Sequence, residues 1–279
     1  LLLLGSGTLG AALRKAFSHF GWQVSQGSRN GLRSGAEFDF ELGNQLRLPP
    51  RSGSFPLGIY ALGMNGIADC NNNPDASKLI NHVYAAQAIR EMLNFCDNIV
   101  VISSLEAYRC SSSVLASPNC RSVYGIHKLE LENQILEEFD NRVHVVRLSK
   151  VFSGPEIRNM FSNWEKALLL QTTVKINRSR QMFPLWAGAV GEIFHSMDWA
   201  NYMRGRRLSF LSSLEPISYL TIFEWLFDGK CAAFKINDMS DLRHELLPRL
   251  ETFVDLEESQ KQLVKIKYLK SQIIGAIND

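Results

Sequence analysis

The chain has 279 residues, which is enough to bury a large core in one domain with an appendage or in two domains. Its 30 basic and 28 acidic residues leave a formal net charge of +2. Proteins that bind nucleic acid or anionic membranes usually carry a strong excess of positive charge, so the expected partner is a small molecule. No apolar stretch reaches the roughly 20 residues that span a bilayer, and five cysteines without a CxxC pair favour reduced thiols in the cytoplasm over a disulfide framework or a metal site.

The first predicted element is a strand formed by the run LLLL at residues 1–4. This run meets Gly5 at once, so it is too short for the apolar core of a signal peptide. An unbroken apolar run closed by a turn residue is typical of a buried strand in a parallel sheet. The sequence does not begin with methionine, so the strand could be longer than the residues given. Residues 11–20 then place Leu13 and Phe17 at helical spacing, which predicts an opening of strand, glycine turn and helix.

Strands and helices continue to alternate along the first half of the chain. Strands alternating with helices imply parallel βαβ units with right-handed crossovers. We therefore predict an α/β fold with a Rossmann-type, doubly wound parallel sheet. Further strands are predicted at residues 22–30, 57–65, 98–104 and 143–152, and long helices at residues 77–95 and 124–139.

Two regions depart from this alternation. Residues 41–56 contain too much Pro, Gly and Ser for a regular crossover helix, so we predict a shortened or irregular crossover. After Gly154 and Pro155 the pattern becomes less regular. We predict a Rossmann-type domain over residues 1–155 and a smaller, mainly substrate-binding part with C-terminal helices over residues 156–279. In this second part we expect a helix near residues 156–170, a strand at 172–176, and helices at 217–228 and 240–276.

GSGTLG at residues 5–10 has GxGxxG spacing between the predicted strand and helix. In this motif Gly5 permits a tight turn, Gly7 lets the backbone approach a pyrophosphate, and Gly10 lets helix and strand pack closely. The N-terminus of the helix then faces the phosphates. The alternative is a glycine turn without a ligand, so the motif indicates a dinucleotide site only together with further elements.

Polar residues that could carry catalysis occur in two further segments. Tyr124 and Lys128 in YGIHK are four residues apart on a predicted helix, so the ammonium can lie near the phenol and lower a pKa that is about 10 when unperturbed. Ser103 and Ser104 end the apolar strand IVVI at the carboxyl edge of the sheet, where doubly wound folds bind ligands. Serines after a strand also cap turns, and this is the alternative for Ser103.

Four segments, GSGTLG, SSLEAY, YGIHK and VVRLSKVFSGP, occur in this order and together resemble the short-chain dehydrogenase/reductase family. The resemblance is to its extended branch, which acts on nucleotide sugars, and covers residues 1–155 well. It implies that Tyr124 donates a proton to a substrate carbonyl oxygen, that Ser104 hydrogen-bonds this oxygen, and that Lys128 holds the nicotinamide ribose. The chain departs from the branch in two features, GxGxxG instead of GxxGxxG and the irregular crossover.

The end of the second strand bears on the choice of cofactor. A carboxylate at this position binds the adenine ribose of NAD, whereas an arginine accommodates the 2′-phosphate of NADP. The segment GSRN offers Ser28 and Arg29 and no acid, which favours NADP(H), with NAD as the alternative cofactor and a solvated surface position as the alternative for Arg29. Asp39 resembles the acid of the family that contacts adenine. The predicted cofactor-binding residues are Gly5, Ser6, Gly7, Thr8, Leu9, Gly10, Ser28, Arg29, Asp39, Ala61, Leu62, Gly63, Tyr124 and Lys128.

The C-terminal part contains candidate residues for the substrate. A nucleotide-sugar enzyme needs cations for the substrate diphosphate, and Arg158, Arg178 and Arg180 are predicted to supply them together with the hydroxyl of Ser104. Each arginine could instead be an ordinary surface residue.

The resemblance also implies a homodimer built from the helices at residues 77–95 and 124–139. The second helix carries an acidic run that argues against close contact at a twofold axis, because like charges repel. This run consists of Glu130, Glu132, Glu137 and Glu138.

The sequence therefore favours an NADP(H)-dependent oxidoreductase that reduces a keto group of a nucleotide-linked sugar. The segment FPLWAGAVGEIFHSM resembles the corresponding stretch of dTDP-4-dehydrorhamnose reductases. One alternative is a nucleotide-sugar epimerase that retains its NAD(P). Another, of a different class, is a non-catalytic NADP(H)-binding regulator, although family members of that kind commonly lack the Tyr or the Lys.

Overall fold

The computed structural model describes residues 1–29, 36–48, 53–111, 122–152, 170, 174–176, 181–212, 217–226 and 236–238. The chain divides into two compact units. The first comprises Leu1–Leu148 and Val190–Leu211, and the second comprises Ser149–Ala189 and Ser212–Asp279. The predicted division into domains at residue 155 stays a prediction.

The first unit is built on a seven-stranded sheet. Its strands are β1 (Leu2–Leu4), β2 (Ser25–Ser28), β3 (Phe38–Asp39), β4 (Gly58–Tyr60), β5 (Ile99–Ser104), β6 (Val143–Leu148) and β11 (Leu208–Leu211). Their order across the sheet is β11-β6-β5-β4-β1-β2-β3. All neighbouring strands in it are parallel. This is the predicted Rossmann-type arrangement, because the chain moves outward from β1 in one direction and then in the other.

Helices cover this sheet, and their bounds agree broadly with the periodicity of the sequence. The predicted helix at residues 77–95 belongs to a longer helical segment that starts at Pro74, and Leu79–Val83 within it is π-helical. Segments of this kind often occur at functional sites. The helices of the first unit include α1 (Thr8–His19), α2 (Ile67–Asn72), α3 (Pro74–Lys78), α4 (Tyr84–Met92), α5 (Leu105–Ser111), α6 (Val123–Glu138), α7 (Ala187–Ser196, whose first three residues are assigned to the second unit) and α8 (Trp199–Tyr202).

The main core lies between the sheet and the helices α4 and α6. Burial of these apolar side chains is the main favourable contribution to folding, at roughly 25 cal/mol per Å² removed from water. It also holds α6 firmly against the carboxyl half of β5, where the candidate site lies. The core includes Leu2, Leu4, Tyr60, Ile89, Met92, Ile99, Val101, Leu131, Ile135, Val143 and Val145.

Two predicted strands differ in detail from the structure, and one predicted irregular segment agrees with it. The predicted strand at residues 143–152 is divided, since β6 ends at Leu148 and a separate strand, β7, covers Lys150–Phe152. The predicted strand at residues 57–65 ends at Tyr60, and the residues after it form a loop. In residues 41–56 the described positions contain a turn and no helix, as the irregular crossover predicted.

The second unit contains short paired strands and one described helix. β7 pairs in parallel with β10 (Pro184–Trp186), and β8 (Val174–Ile176) pairs in parallel with β13 (Ile236–Asp238). The antiparallel pair is β9 (Gln181–Met182) with β12 (Ile217–Ser218), which is followed by α9 (Tyr219–Leu226). The helices predicted near residues 156–170 and at 240–276 lie outside the described residues. None of the helices in the described ranges has the length and apolar character that a membrane crossing requires.

Candidate active site

In the glycine turn after β1, packing requires a glycine at some positions and not at others. Gly5 has a φ of +136°, and a Cβ there would lie 2.8 Å from the carbonyl oxygen of Ala61. A Cβ on Gly10 would collide with the carbonyl oxygen of Gly5, because α1 packs directly on the turn. A Cβ on Gly7 would meet no atom within 4 Å. Gly5 and Gly10 therefore serve the fold, whereas Gly7 leaves open space at the N-terminus of α1 for a ligand to approach.

A layer of buried polar side chains supports this turn from β2. Gln26 is buried and donates from Nε2 to the carbonyl oxygen of Gly5 over 2.7 Å. The hydroxyl groups of Ser6 and Ser28 are 2.9 Å apart. Ser28 is fully buried, so its hydroxyl holds the turn, and the partly exposed Arg29 is the side chain at this strand end that can reach a ligand. Gln26 was not among the residues predicted from the sequence, although a polar residue at a strand position expected to be apolar is a signal that could have identified it.

An acidic residue lies closer to this strand end than the sequence indicated. β2 and β3 are paired so that Asp39 is the register partner of Ser28. Asp39 is exposed, and its Oδ1 accepts a hydrogen bond from the amide of Phe40 over 3.0 Å. Asp39 is thus placed beside the predicted adenine-ribose position, where a carboxylate favours NAD. Arg29 and Asp39 therefore argue for different cofactors.

The loop after β4 is fastened to the π-helical segment by Asn81. The Asn81 side chain accepts a hydrogen bond from the amide of Met64 over 2.9 Å and donates to the carbonyl oxygen of the same residue over 3.1 Å. Gly63 in this loop lies beside Lys128, since a Cβ on it would be 3.6 Å from Nζ. The predicted cofactor residues Ala61 and Leu62 are partly exposed in the same loop. Asn81 was not predicted from the sequence either; it is a fully buried amide within an otherwise amphipathic helix pattern.

The structure brings the three predicted catalytic residues together at the carboxyl end of β5. Ser104 is the last residue of β5, and its side chain lies next to that of Tyr124, in the first turn of α6. Ser122 caps this helix by accepting a hydrogen bond from the amide of Gly125 over 3.0 Å. Lys128 lies one turn further on, is buried, and donates from Nζ to the carbonyl oxygen of Ile102 over 3.1 Å.

The environment changes the pKa values of both ionisable members of this group. Burial raises the pKa of Tyr124 above its usual value, against a smaller lowering by the hydrogen bond with Ser104. Burial lowers the pKa of Lys128 to about 8, against the raising effect of Glu132. The expectation that Lys128 lowers the pKa of Tyr124 is therefore wrong, because burial outweighs the other influences on the phenol. A phenol with a raised pKa stays protonated at neutral pH, as a proton donor must.

The three arginines predicted to bind a substrate diphosphate, Arg158, Arg178 and Arg180, lie outside the described residues. Within the described ranges, no group of three or more His, Cys, Asp or Glu side chains is placed to hold a metal ion.

Comparison with known proteins shows similarity at the level of structure. No family model and no curated protein matches the chain. MoeE5 in complex with UDP-glucose and NAD has a TM-score of 0.67 and 16% identity, with 99% of this chain and 98% of that chain covered. A dTDP-4-dehydrorhamnose reductase from Clostridium acetobutylicum has a TM-score of 0.63 and 15% identity, with 98% and 97% covered. UDP-glucose 4-epimerase from Thermotoga maritima has a TM-score of 0.61 and 15% identity, with 97% and 98% covered. The chain therefore has the Rossmann-type α/β fold of these nucleotide-sugar proteins, which confirms the fold class that the sequence predicted.

Proposed function

We propose that the protein is an NADP(H)-dependent oxidoreductase that reduces a keto group of a nucleotide-linked sugar. The observation that carries this proposal is the placement of Tyr124 next to Ser104, with the buried Lys128 one turn further along the same helix, at the carboxyl end of a central strand. Ligands of doubly wound folds bind at this edge of the sheet. The structural neighbours described above include a nucleotide-sugar reductase and an epimerase, and one of them is complexed with NAD, which supports the same general chemistry.

The residues of the glycine turn fit a dinucleotide cofactor. The open space at Gly7 would admit a pyrophosphate to the N-terminus of α1, whose first turn contains no acidic residue that would repel it. The partly exposed Arg29 would lie against the 2′-phosphate, and Gly63 and Lys128 against the nicotinamide ribose. When bound, the nicotinamide supplies the hydride.

The side chains of this chain then have separate roles at the substrate carbonyl. Tyr124 is held protonated by burial and gives its proton to the carbonyl oxygen as negative charge develops there. Ser104 hydrogen-bonds the same oxygen and aligns the Tyr124 hydroxyl. Lys128, fixed by its bond to Ile102, places positive charge beside the reacting groups.

A nucleotide-sugar epimerase with retained NAD(P) is the second candidate, and the position of Asp39 beside Ser28 favours it. A non-catalytic NADP(H)-binding regulator has less support, because Ser104, Tyr124 and Lys128 are all present. Tyr124 lies next to Ser104 at the end of β5, and Lys128 binds the carbonyl oxygen of Ile102 on the same strand.

An assay that separates the three candidates combines binding and turnover. Thermal-shift measurements with NADPH, NADH and UDP-, dTDP-, GDP- and CDP-sugars identify the cofactor and nucleotide. We then expect a loss of absorbance at 340 nm when the protein is mixed with NADPH and a keto-sugar linked to that nucleotide. Interconversion of sugar epimers without added cofactor would show that the protein is an epimerase and not a reductase. Binding of NADP(H) without turnover of any sugar would support the non-catalytic regulator.

We also propose that the protein is a homodimer whose interface contains the π-helical segment and α6. Leu79 and Val83 on that segment are 41% and 43% exposed, and Leu136 on α6 is 39% exposed. The acidic run of α6 opposes association less than the sequence suggested. Glu132 is buried, and Glu138 pairs with Arg90 over 3.0 Å.

Light scattering is expected to give twice the mass of the 31.5 kDa chain. Replacing Val83 with lysine places a charge in the apolar patch and should shift the protein to the monomer. Phe20→Lys is the matched control, because Phe20 is also an exposed apolar residue but lies at the end of α1. A monomeric wild type, or a Val83→Lys variant that remains dimeric, would contradict this interface.

A further inference from the structure

A buried ion pair lies directly beneath the candidate active site. Glu132 on α6 is 1% exposed and Arg147 on β6 is 6% exposed. Their closest contacts are 2.5 Å from Nη2 to Oε2 and 2.9 Å from Nε to Oε2, with a third of 3.1 Å from Nε to Oε1. A buried ion pair is often no more stabilising than apolar residues of the same volume, because both charges lose their hydration. Stability alone therefore does not account for it.

The carboxylate of Glu132 joins the helix to two adjacent strands. Ser103 on β5 and Arg147 on β6 are register partners, so their side chains leave the sheet on the same face. The hydroxyl of Ser103 donates to Oε1 of Glu132, and the guanidinium of Arg147 donates to both of its oxygens. One side chain of α6 thus fixes its position against the end of β5, one residue before Ser104.

Two further contacts continue the same pattern along the helix. Tyr124, Lys128 and Glu132 are spaced four residues apart and share one face of α6. They contact Ser104, the carbonyl oxygen of Ile102 and the hydroxyl of Ser103 respectively. Three consecutive residues of β5 are therefore each bound by one residue of this face, and Glu132 supplies the most deeply buried of the three contacts.

The guanidinium of Arg147 is itself held in place by aromatic rings. Its central carbon lies 5.8 Å from the ring centre of Tyr108 on α5 and 5.2 Å from that of Phe210 on β11. Both rings provide cation–π contacts that restrict its rotation. Glu132 therefore binds to a donor that cannot easily turn away.

We propose that Glu132 is a positioning residue, which acts through Arg147 and Ser103 to keep Tyr124 and Lys128 aligned with Ser104. This inference rests on the proposed function, in which those three residues carry catalysis. Glu132 also acts on them through its charge, since it raises the pKa of both Tyr124 and Lys128.

The decisive variant replaces both partners, Glu132→Leu with Arg147→Met, so that no unpaired charge is left in the core. Such a replacement is expected to keep the melting temperature at or above that of the wild type. We expect kcat to fall by about 10- to 100-fold, because misplacement of reacting groups by about 1 Å has effects of this size. Loss of the negative charge should also move the high-pH limb of the kcat profile to lower pH, because the pKa values of Tyr124 and Lys128 then fall.

The matched control, Arg90→Met with Glu138→Leu, removes an exposed ion pair that joins α4 to the end of α6. This pair has a contact of 3.0 Å and both side chains are more than half exposed, so kcat and its pH profile should not change. Wild-type kcat and pH profile in the Glu132→Leu/Arg147→Met protein would overturn the proposal. If that protein does not fold, Ser103→Ala tests the proposal instead. We expect its kcat to fall about fivefold, because one hydrogen bond is lost, and an unchanged kcat would overturn the proposal. A wild type without turnover would instead refute the proposed function itself.

Discussion

Replacing Tyr124 with phenylalanine is expected to lower turnover with NADPH and a keto-sugar by at least about 10²-fold, which is the usual size of a general acid effect. The variant keeps the aromatic ring and removes only the proton donor, so NADPH should bind with nearly unchanged affinity. Burial raises the pKa of the Tyr124 phenol, and the proton is therefore present on the hydroxyl across the neutral range. The measurement is kcat from the absorbance at 340 nm, together with the NADPH dissociation constant from fluorescence.

Tyr202→Phe is the matched control for this substitution. Tyr202 lies on α8, where its ring packs against His144 and Trp199, at positions without a predicted role in catalysis. Removing its hydroxyl should leave kcat unchanged. Near-normal turnover of Tyr124→Phe would remove Tyr124 from the mechanism, whereas equal losses in both variants would indicate a general sensitivity to losing a tyrosine hydroxyl.

The parts of the fold that depend on local pattern were predictable from the sequence. The buried runs of β1, β5 and β6 have the unbroken apolar composition of parallel strands, and the helical periodicity identified α4 and α6. Leu208–Leu211 is different. It extends the sheet by pairing with β6, about 60 residues earlier in the chain, and no local pattern specifies such a pairing.

The candidate site divides in the same way. The spacing of Tyr124 and Lys128 placed them on one helix face, and Ser104 followed from its position at the end of a strand. The contact of Glu132 with Ser103 depends instead on how α6 packs on the sheet. From the sequence, Glu132 was counted in an acidic run that would oppose contact at a twofold axis, whereas its side chain is buried in an ion pair with Arg147. Turn capping was the alternative for Ser103, whereas its hydroxyl donates to Glu132.

The direction of the pKa change at Tyr124 is another property that spacing could not supply. The interval of four residues suggested that the Lys128 ammonium would stabilise the phenolate. In the structure the ammonium donates to the Ile102 carbonyl oxygen, and burial raises the pKa of Tyr124. Burial depends on the surrounding fold, so the sequence alone could identify the pair but not the balance of effects on it.

Cofactor preference provides the second large expected effect, and it depends on Arg29. The wild type should bind NADPH about 10- to 150-fold more tightly than NADH, since a charge-assisted contact to the 2′-phosphate is worth about 1.5 to 3 kcal/mol. Arg29→Ala should remove most of this preference and leave NADH binding nearly unchanged, because NADH has no phosphate at that position. Dissociation constants of both cofactors, measured for wild type and variant by fluorescence or calorimetry, test the prediction.

Two further variants show whether the effect belongs to this position. Lys15→Ala removes an exposed cation from α1 and should alter neither affinity. Asp39→Asn removes the carboxylate next to Ser28 in register, which would repel a 2′-phosphate, and should strengthen NADPH binding if this phosphate lies there. If Asp39→Asn instead weakens NADH binding while the wild type binds NADH as tightly as NADPH, the carboxylate holds the adenine ribose hydroxyls. A protein that also retains NAD through purification and interconverts sugar epimers without added cofactor would then be the epimerase, because a closed cycle of oxidation and reduction needs no exchange of cofactor with the solvent.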